Sequence, residues 1–254
     1  MNELEKYLKL FRPVTLKELD KVSLLDRMDT KYVFTREQLP HFLEHLSNSY
    51  YILEIGEKRM FHYESLYFDT GNFTLYNMHY CGRMNRYKVR FRRYVESNLS
   101  FFEIKFKNNK GRTIKSRVQH QTGNEIHGTA LDLLKTKSPL ADSGLEPKIW
   151  VNYVRITLVS KEFKERLTLD LDLTFKNEGE QKTMSTLVIA EVKQSKAGQS
   201  EFSRLMKKNH IRQGSISKYC FGIASLFDHV RINNFKEQIK NINRTIYATA
   251  PGFK

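Results

Sequence analysis

The sequence predicts an α+β fold in which about eight antiparallel strands, forming either an open sheet or a closed β-barrel, are flanked by helices. Apolar and polar residues alternate with a period of two along many segments, which is typical of strands that bury one face. Helical spacing occurs in a few segments that flank these strands. The chain lacks the regular strand–helix–strand rhythm of a parallel sheet, so an antiparallel arrangement is expected.

The first part of the chain is predicted to contain two short helices around one charged strand. Thr15 with Glu18, and Thr35 with Gln38, each form a capping-box pattern ahead of apolar residues at helical spacing. Segment 27–34, between them, alternates in polarity and is predicted to be a strand. The charged residues that share one face of this strand are Arg27, Asp29 and Lys31.

A basic stretch, residues 83–117, is the most informative part of the sequence. It carries most of the chain's formal net charge of +15 and contains three predicted strands. Successive side chains on a strand point to opposite faces, so the alternation gathers charge on one face and apolar residues on the other. The residues on the charged face are Lys88, Arg90, Arg92, Glu103, Lys105, Lys107, Lys115 and Arg117. Such a surface favours a polyanionic ligand.

The second half of the chain repeats the alternating pattern. Thr122 with Glu125 predicts a further capped helix, and strands are predicted at 148–160, 166–175 and 185–194. The charged residues predicted to share the basic side are Arg155, Arg166, Asp170, Asp172, Glu191 and Lys193. The remaining predicted elements are strands at 50–55 and 64–69 and helices at 71–79, 202–206 and 216–227.

Composition restricts the classes of partner. A pI near 9.7 points to nucleic acid, phosphate-rich metabolites, polyphosphate or an anionic membrane surface. Cys81 and Cys220 form neither a disulfide framework nor a zinc-binding pattern. Because the chain shows neither a signal peptide nor a run of about twenty apolar residues, a cytoplasmic protein without a transmembrane segment is expected.

Phosphate groups are expected to be bound by side chains, because the sequence contains no Gly-rich phosphate loop or dinucleotide fingerprint. Arginine suits this role, since its planar guanidinium makes two charge-assisted hydrogen bonds to phosphate oxygens. The carboxylates predicted among the cations are Glu103, Asp170, Asp172 and Glu191. They have two interpretations: salt-bridge partners that relieve repulsion between cations, or oxygen ligands for Mg²⁺ or Mn²⁺.

A series of short motifs occurs in the order found in a known family. They are RMDTKYVF, SLYFDT, YKVRFRRY, FFEIKFK, TIKSRV, RLTLDLDLTF, VIAEVK and SISKY. In this order the chain resembles the VTC domain, the catalytic domain of the vacuolar transporter chaperone polyphosphate polymerase and a member of the triphosphate tunnel metalloenzyme superfamily. The resemblance covers residues 20–227. It implies a closed tunnel whose basic side chains bind a triphosphate, with a divalent metal on a glutamate of the last strand.

The resemblance, together with the alternation, implies roles for individual residues. The phosphate-binding set is Arg27, Lys31, Lys88, Arg90, Arg92, Lys105, Lys115, Arg117, Arg155, Arg166, Lys193 and Lys218. The residues implied to act in catalysis are Arg90, Arg92, Lys105, Lys218 and Glu191, and the implied metal ligands are Glu191 and Glu103. Segment 27–31 departs from the ExExK motif of many tunnel enzymes. Ser215 occupies a position where the polymerase is expected to carry a further basic residue.

The resemblance implies an ATP-dependent, polyphosphate polymerase-like phosphoryl transferase that binds ATP, triphosphate or polyphosphate with Mn²⁺ or Mg²⁺. Two alternatives stay open: a metal-dependent inorganic or nucleoside triphosphatase, and a non-catalytic module that binds polyphosphate or nucleic acid. Nucleic acid is the less expected partner, and a membrane-protein partner is left open. The chain is expected to divide into a helical lead-in at 1–20, the VTC-like tunnel domain at 21–230 and a polar C-terminal tail at 231–254.

Overall fold

The computed structural model describes residues 3–19, 28–194 and 200–247. Its strands are β1 (Arg12–Val14), β2 (Met28–Thr35), β3 (Tyr50–Leu53), β4 (Phe61–Asp69), β5 (Arg86–Tyr94), β6 (Leu99–Lys107), β7 (Thr113–Gln119), β8 (Glu146–Ser160), β9 (Glu165–Lys176), β10 (Gln181–Met184), β11 (Leu187–Gln194) and β12 (Gln213–Gly214). Its helices are α1 (Glu3–Leu8), α2 (Leu16–Leu19), α3 (Leu39–Leu46), α4 (Thr74–Tyr80), α5 (Gly128–Lys137), α6 (Glu201–Lys208), α7 (Lys218–Leu226) and α8 (Lys236–Tyr247).

The strands form one 12-stranded sheet whose main path runs β12-β2-β11-β9-β8-β4-β5-β6-β7. Pairing is antiparallel except between β1 and β3. The predicted α+β class with an antiparallel sheet and flanking helices is therefore confirmed. Closure of the barrel is not confirmed, because no backbone pairing within the described residues joins β7 to β12. The sheet instead curls so that β2 and β5–β7 face each other across a cavity of about 310 Å³, whose wall α7 and α8 complete.

Helices cover the outer face of the sheet, opposite this cavity. Phe42 of α3 and Phe202 of α6 pack around Phe34 of β2, and Leu134 of α5 belongs to a second core with Phe91 of β5. These residues occupy the apolar positions of the alternating pattern. Burying them stabilises the sheet by roughly 25 cal/mol per Å² of apolar surface. Their burial also fixes the charged positions of the same strands on the inner face.

The capping boxes predicted for the first two helical segments are confirmed. The Thr15 amide donates to Glu18 Oε2 at 2.8 Å ahead of α2, and the Thr35 amide donates to Gln38 at 3.1 Å ahead of α3. The third box is wrong, because α5 begins only at Gly128. This glycine has a φ of +52°, a left-handed conformation that ends any right-handed helix arriving from upstream.

The predicted shared face of Asp170 and Asp172 is also wrong. The pairing of β8 with β9 shifts its register near Asn152, and Asp172 has a φ of 51°, as expected at a β-bulge. The extra residue changes the direction of the side chains that follow it. Asp170 therefore stays on the inner face and binds Arg155, whereas Asp172 pairs with Arg36 in the turn before α3.

The segment predicted as a polar tail of uncertain structure contains a helix. A short 3-10 turn at Asn233–Phe235 leads into α8. Ile239 and Ile242 of this helix pack against the core formed by α7 and the inner face of the sheet. The polar composition of α8 is compatible with a packed helix, because the face that carries Ile239 and Ile242 is enough to contact this core. Among the described helices, none has the length and apolar character that crossing a membrane requires.

Candidate functional site

Charged side chains from seven strands and α7 meet on the inner face of the sheet. The register places Arg90 opposite Glu103, and places Glu191 opposite Lys31. Directly opposed residues of antiparallel strands lie within side-chain reach of each other. Together with Lys218 of α7, the predicted residues that meet here are called the inner-face site below: Lys31, Lys88, Arg90, Arg92, Glu103, Lys105, Lys115, Arg155, Asp170, Glu191, Lys193 and Lys218.

Glu103 is the buried counterion at the centre of the basic strands. Arg90 donates to Glu103 Oε2 from Nε at 2.9 Å and from Nη2 at 2.6 Å, and Lys115 pairs with Oε1. Burial opposes ionisation of Glu103, but Arg90, Arg92 and Lys115 outweigh burial and hold its pKa below the usual range. Both oxygens of this carboxylate are therefore occupied by cations.

Tyrosine hydroxyls fix the two central arginines. Arg90 Nη1 donates to the Tyr67 hydroxyl at 2.6 Å. Arg92 donates from Nη2 to the Tyr153 hydroxyl at 2.9 Å and from Nε to Ser65 Oγ at 3.1 Å. These acceptors are neutral, and no carboxylate among the described residues forms an ion pair with Arg92. Arg92 is thus held in place without being neutralised, and most of its N–H donors stay available to a ligand.

A second buried carboxylate, Asp170, connects the sheet to α7. Arg155 binds it through two hydrogen bonds, Nε to Oδ1 at 2.6 Å and Nη2 to Oδ2 at 2.8 Å. Lys218, the first residue of α7, lies 2.5 Å from Oδ2. Burial opposes ionisation of Asp170, but Arg155 and Lys218 outweigh it and lower the pKa. The Asp170 carboxylate therefore binds one cation from β8 and one from α7.

The close approach of α7 to the sheet depends on a glycine. A Cβ atom at Gly222 would come within 2.5 Å of the Phe175 ring and 2.8 Å of the Ile149 side chain. Both contacts are shorter than carbon atoms tolerate. The absent side chain lets α7 lie directly on β8 and β9. This packing brings Lys218, at the start of the helix, into the inner-face site.

Glu191 lies at the β2 side of the site and remains partly accessible. Its carboxylate is 3.6 Å from Lys31 Nζ and also pairs with Lys193, which binds Asp29 at 2.8 Å. The Glu191 side chain is 17% exposed, whereas Glu103 is completely buried. Of the two predicted metal ligands, Glu191 is therefore the one whose oxygens a ligand can reach.

Lys105 is the least compensated cation of the site. It lies between Lys88 and Lys115 in the register of β5, β6 and β7, and it forms no hydrogen bond or ion pair with any described residue. The charge of Arg90, then burial and the charge of Arg92, lower its pKa well below the usual value. Lys88 donates to Ser217 Oγ at 2.8 Å, and burial lowers its pKa as well. An anion bound here would relieve repulsion among these cations.

The inner-face site continues into the cavity of about 310 Å³. Lys31 and Lys88 belong to both, and Arg86 and Lys107 add further positive charge to the cavity wall. His79 also lines this space. Burial and the neighbouring cations lower the pKa of His79 to about 3, so its ring is neutral at physiological pH. The opposite wall is formed by α7 and α8 and combines apolar residues with the polar side chains of Ser217 and Gln238.

Two predicted phosphate ligands lie at the margin of this group, because the strand register places Arg117 opposite Glu103 and Arg166 opposite Lys193. Arg117 lies on the exposed edge strand β7, with its guanidinium 4.7 Å from the centre of the Phe101 ring. Arg166 donates to the backbone oxygen of Leu19 at 3.0 Å. Arg27 lies outside the described residues. The sequence reasoning in turn missed Tyr67, Tyr153 and Ser217; for Tyr153 the signal was present, since it alternates with Arg155 on one face of β8.

The side chains present fit a metal ion that is coordinated partly by the protein and partly by phosphate oxygens. They do not fit a metal ion that is coordinated by protein ligands alone. Within the described residues, no three His, Cys, Asp or Glu side chains come together. Hard divalent cations accept one carboxylate and fill their remaining positions with water and phosphate oxygens. Glu191 meets this requirement. Glu103 does not, because Arg90 and Lys115 occupy its oxygens.

Comparison with solved structures finds similar folds at low sequence identity, of which one from Hippeastrum superposes with a TM-score above 0.5. A putative adenylyl cyclase from Hippeastrum with a dominant triphosphatase activity superposes with a TM-score of 0.52 at 14% identity, covering 78% of this chain and 96% of that one. A protein from Pyrococcus horikoshii gives a TM-score of 0.45 at 13% identity, covering 78% and 99%. No match was found among curated proteins. The sequence model of the VTC domain matches residues 26–227, and the chain therefore belongs to the VTC domain family.

Proposed function

We propose that this protein binds ATP, another triphosphate or polyphosphate in the inner-face site and transfers the γ-phosphate to a polyphosphate chain. One observation carries the proposal. Arg92 and Lys105 lie side by side with the compensated Arg90 and Lys115, yet neither is neutralised by a carboxylate in the described structure. Uncompensated, partly buried cations are costly unless a bound anion supplies the missing charge. Membership of the VTC domain family supports the same conclusion.

The residues of the site perform two tasks in this reaction. Arg92 and Lys105 bind the phosphoryl oxygens and stabilise the charge on them as the group is transferred. Tyr67 and Tyr153 hold the guanidinium groups in place beforehand, so that little reorganisation is needed. An oxygen of the acceptor phosphate forms the new bond to the γ-phosphorus while the bond to the leaving diphosphate oxygen breaks. No nucleophile from the protein is required.

The family resemblance implies a divalent cation, Mn²⁺ or Mg²⁺. Glu191 would be its protein ligand, and oxygens of the bound phosphates would provide further ligands. When bound, such an ion neutralises phosphate charge and acts as a Lewis acid. Lys31 and Lys193 pair with Glu191; the ion would take over this carboxylate, so that Lys31 could bind phosphate while Lys193 keeps Asp29 as a partner. Glu103 has a different role in this proposal: it holds Arg90 and Lys115 in position.

Hydrolysis of a triphosphate, with water as the acceptor, is the second candidate. It is favoured by Ser215, which stands where a polymerase is expected to carry a further cation to bind the acceptor chain. In the structure the Ser215 hydroxyl instead accepts a hydrogen bond from Gln238 of α8 at 3.2 Å. The triphosphatase activity of the Hippeastrum cyclase agrees with this candidate.

Incubation with ATP and Mn²⁺ separates these candidates. Products are resolved on a polyacrylamide gel stained for polyphosphate, and free orthophosphate is measured in parallel. A ladder of polyphosphate supports the polymerase, whereas orthophosphate without a ladder supports the triphosphatase. Binding of tripolyphosphate with neither product indicates a binding module and contradicts both enzymes.

Removing a single inner-face arginine is expected to weaken ligand binding. Arg92→Ala should reduce the affinity for tripolyphosphate by about 1.5–3 kcal/mol, the contribution of a charge-assisted hydrogen bond. Arg92 suits this test because its partners, Ser65 and Tyr153, are neutral. Arg90→Ala is expected to weaken binding too, but it also removes a counterion of the buried Glu103. Isothermal titration calorimetry measures the change.

Arg93→Ala is the matched control for this test. It removes the same charge from the next residue, which points to the outer face and lies 3.7 Å from Glu64. Its effect on tripolyphosphate affinity should be less than about 0.5 kcal/mol, as for other exposed ion pairs. Equal weakening by both substitutions would mean that binding occurs on a diffuse basic surface and not at the inner face.

A compact polyanion is expected to stabilise the folded protein more than DNA does. A ligand at a hundred times its dissociation constant adds about 2.7 kcal/mol, which corresponds to roughly 5–10 °C in melting temperature for a chain of this size. Tripolyphosphate should produce this shift, because it reaches the cations around the buried Glu103. Duplex DNA at matched phosphate concentration should produce little, and its effect should disappear in high salt. Greater stabilisation by DNA would favour a nucleic-acid binding module instead.

A further inference from the structure

Two of the sequence motifs contain buried polar residues that have no role in the site described above. Asp69, in the motif SLYFDT, is the last residue of β4, and Tyr219, in the motif SISKY, is the second residue of α7. Asp69 is completely buried and Tyr219 is 2% exposed. The two residues are far apart in the chain, yet the Tyr219 hydroxyl donates a hydrogen bond to Asp69 Oδ2.

Asp69 is an acceptor for two helices at once. Its Oδ1 accepts from the amides of Thr70 at 2.7 Å and Leu75 at 2.8 Å, and its Oδ2 accepts from the amide of Tyr76 at 2.8 Å. The bonds from Leu75 and Tyr76 provide acceptors for amides in the first turn of α4. The bond from the Tyr219 hydroxyl connects the same carboxylate to α7. Burial raises the pKa of Asp69, although its hydrogen bonds oppose that change. No cation among the described residues pairs with this carboxylate, so its bonds connect elements without balancing a charge.

The Tyr219 side chain is in direct contact with the inner-face site. Its ring stacks on Tyr67 with centres 5.0 Å apart and planes 22° apart, and the Tyr67 hydroxyl holds Arg90 at 2.6 Å. The residue before Tyr219 is Lys218, which binds Asp170 at 2.5 Å. Ser217 precedes Lys218, and its hydroxyl accepts a hydrogen bond from Lys88 at 2.8 Å. One anchoring point therefore lies next to three contacts that orient cations.

We infer that Asp69 and Tyr219 are positioning residues, whose hydrogen bond fixes the start of α7 so that Lys218 and Ser217 are oriented for ligand binding. Neither residue touches the ligand in this inference, which rests on the proposed function of the site. Its physical basis is that a rotation or shift of α7 by a fraction of an ångström would move Lys218 off Asp170 and Ser217 off Lys88. A buried bond from a rigid phenol resists such a shift.

Tyr219→Phe tests this inference, because it removes the hydroxyl and keeps the ring that stacks on Tyr67. We expect the affinity for tripolyphosphate to fall about five- to tenfold, as for loss of one net hydrogen bond. Tyr50→Phe is the matched control: Tyr50 also donates to a buried carboxylate, Glu165, but on the outer-face side of the sheet. It should lower the melting temperature comparably and change the affinity less than about twofold.

A double-mutant cycle with Lys218→Ala separates positioning from a general loss of stability. If Tyr219 acts through Lys218, Tyr219→Phe should have little further effect on affinity once Lys218 is absent. Additive effects, or wild-type affinity in Tyr219→Phe, would overturn the inference. Should Tyr219→Phe not fold, Asp69→Asn in the same cycle gives the equivalent measurement. If the wild-type protein itself does not bind tripolyphosphate, the proposed function fails, which is a distinct result.

Discussion

Replacing Asp170 by Asn is expected to destabilise the ligand-free protein by about 3–5 kcal/mol, the cost of leaving a buried ion pair without one partner. Asp170 is 1% exposed and binds both Arg155 and Lys218. An amide of the same shape cannot neutralise either cation. Both would then face the other positive charges of the inner-face site without compensation. Chemical denaturation followed by circular dichroism measures the loss.

Asp172→Asn is the control, since it makes the same change two residues further along the strand. The bulge in β9 places Asp172 against Arg36, where its side chain is 40% exposed, so its loss should cost less than about 1 kcal/mol. Tripolyphosphate should restore part of the stability of Asp170→Asn, because it supplies negative charge beside Arg155 and Lys218. Equal destabilisation by both variants, or no restoration by the ligand, would contradict the interpretation that Asp170 is the buried counterion of Arg155 and Lys218 and that bound phosphate can replace part of its charge.

The dependence of stability on pH should follow from the same carboxylates. Asp170 and Glu103 have folded-state pKa values below those of the unfolded chain, so the unfolded state binds more protons as the pH falls. Their contribution to stability is complete above the unfolded values of about 4 and is lost progressively below them. In Asp170→Asn the part contributed by Asp170 should be absent, and the acid side of the stability profile should be flatter.

Alternation along single strands allowed the core of the site to be predicted. Arg90 and Arg92 face inward and Arg93 faces outward, because side-chain direction on a regular strand is a local property of the backbone. The predicted side-chain direction of Asp172 is wrong because the strand is not regular at this residue. Its positive φ inserts a bulge, and Asp is one of the residues that tolerate this conformation without marking it in the sequence.

Properties that depend on distant contacts were not predictable in the same way. Closure of the barrel depends on how β2 approaches β5–β7, and α7 and α8 occupy the space between them. The tyrosines that hold Arg90 and Arg92 come from β4 and β8, and a lone Tyr on a strand looks like any core residue. Lys218 was identified only through the family resemblance, because its approach to Asp170 depends on the packing of Gly222 against Phe175.

Substitution of Glu191 by Gln is expected to reduce phosphoryl transfer on the order of 100-fold or more, while the protein stays folded. Glu191 is a partly exposed carboxylate of the inner-face site and lies beside Lys31 and Lys193. Gln keeps the shape of the side chain but removes the charge that a divalent cation requires. Since Glu191 is not completely buried, the substitution should reduce the free energy of unfolding only slightly. Solvent should screen the charges of Lys31 and Lys193 when each loses its ion pair with Glu191.

Two measurements distinguish loss of a metal ligand from loss of a counterion. Binding of Mn²⁺ in the presence of tripolyphosphate, followed by electron paramagnetic resonance, should weaken in Glu191→Gln. Binding of tripolyphosphate alone should be unchanged or tighter, because Lys31 loses its carboxylate partner while Lys193 keeps Asp29. The matched variant Glu64→Gln, which alters an exposed carboxylate beside Arg93, should leave both unchanged. Turnover and Mn²⁺ binding at wild-type levels in Glu191→Gln would exclude this carboxylate as the metal ligand and would leave charge compensation of Lys31 and Lys193 as its role.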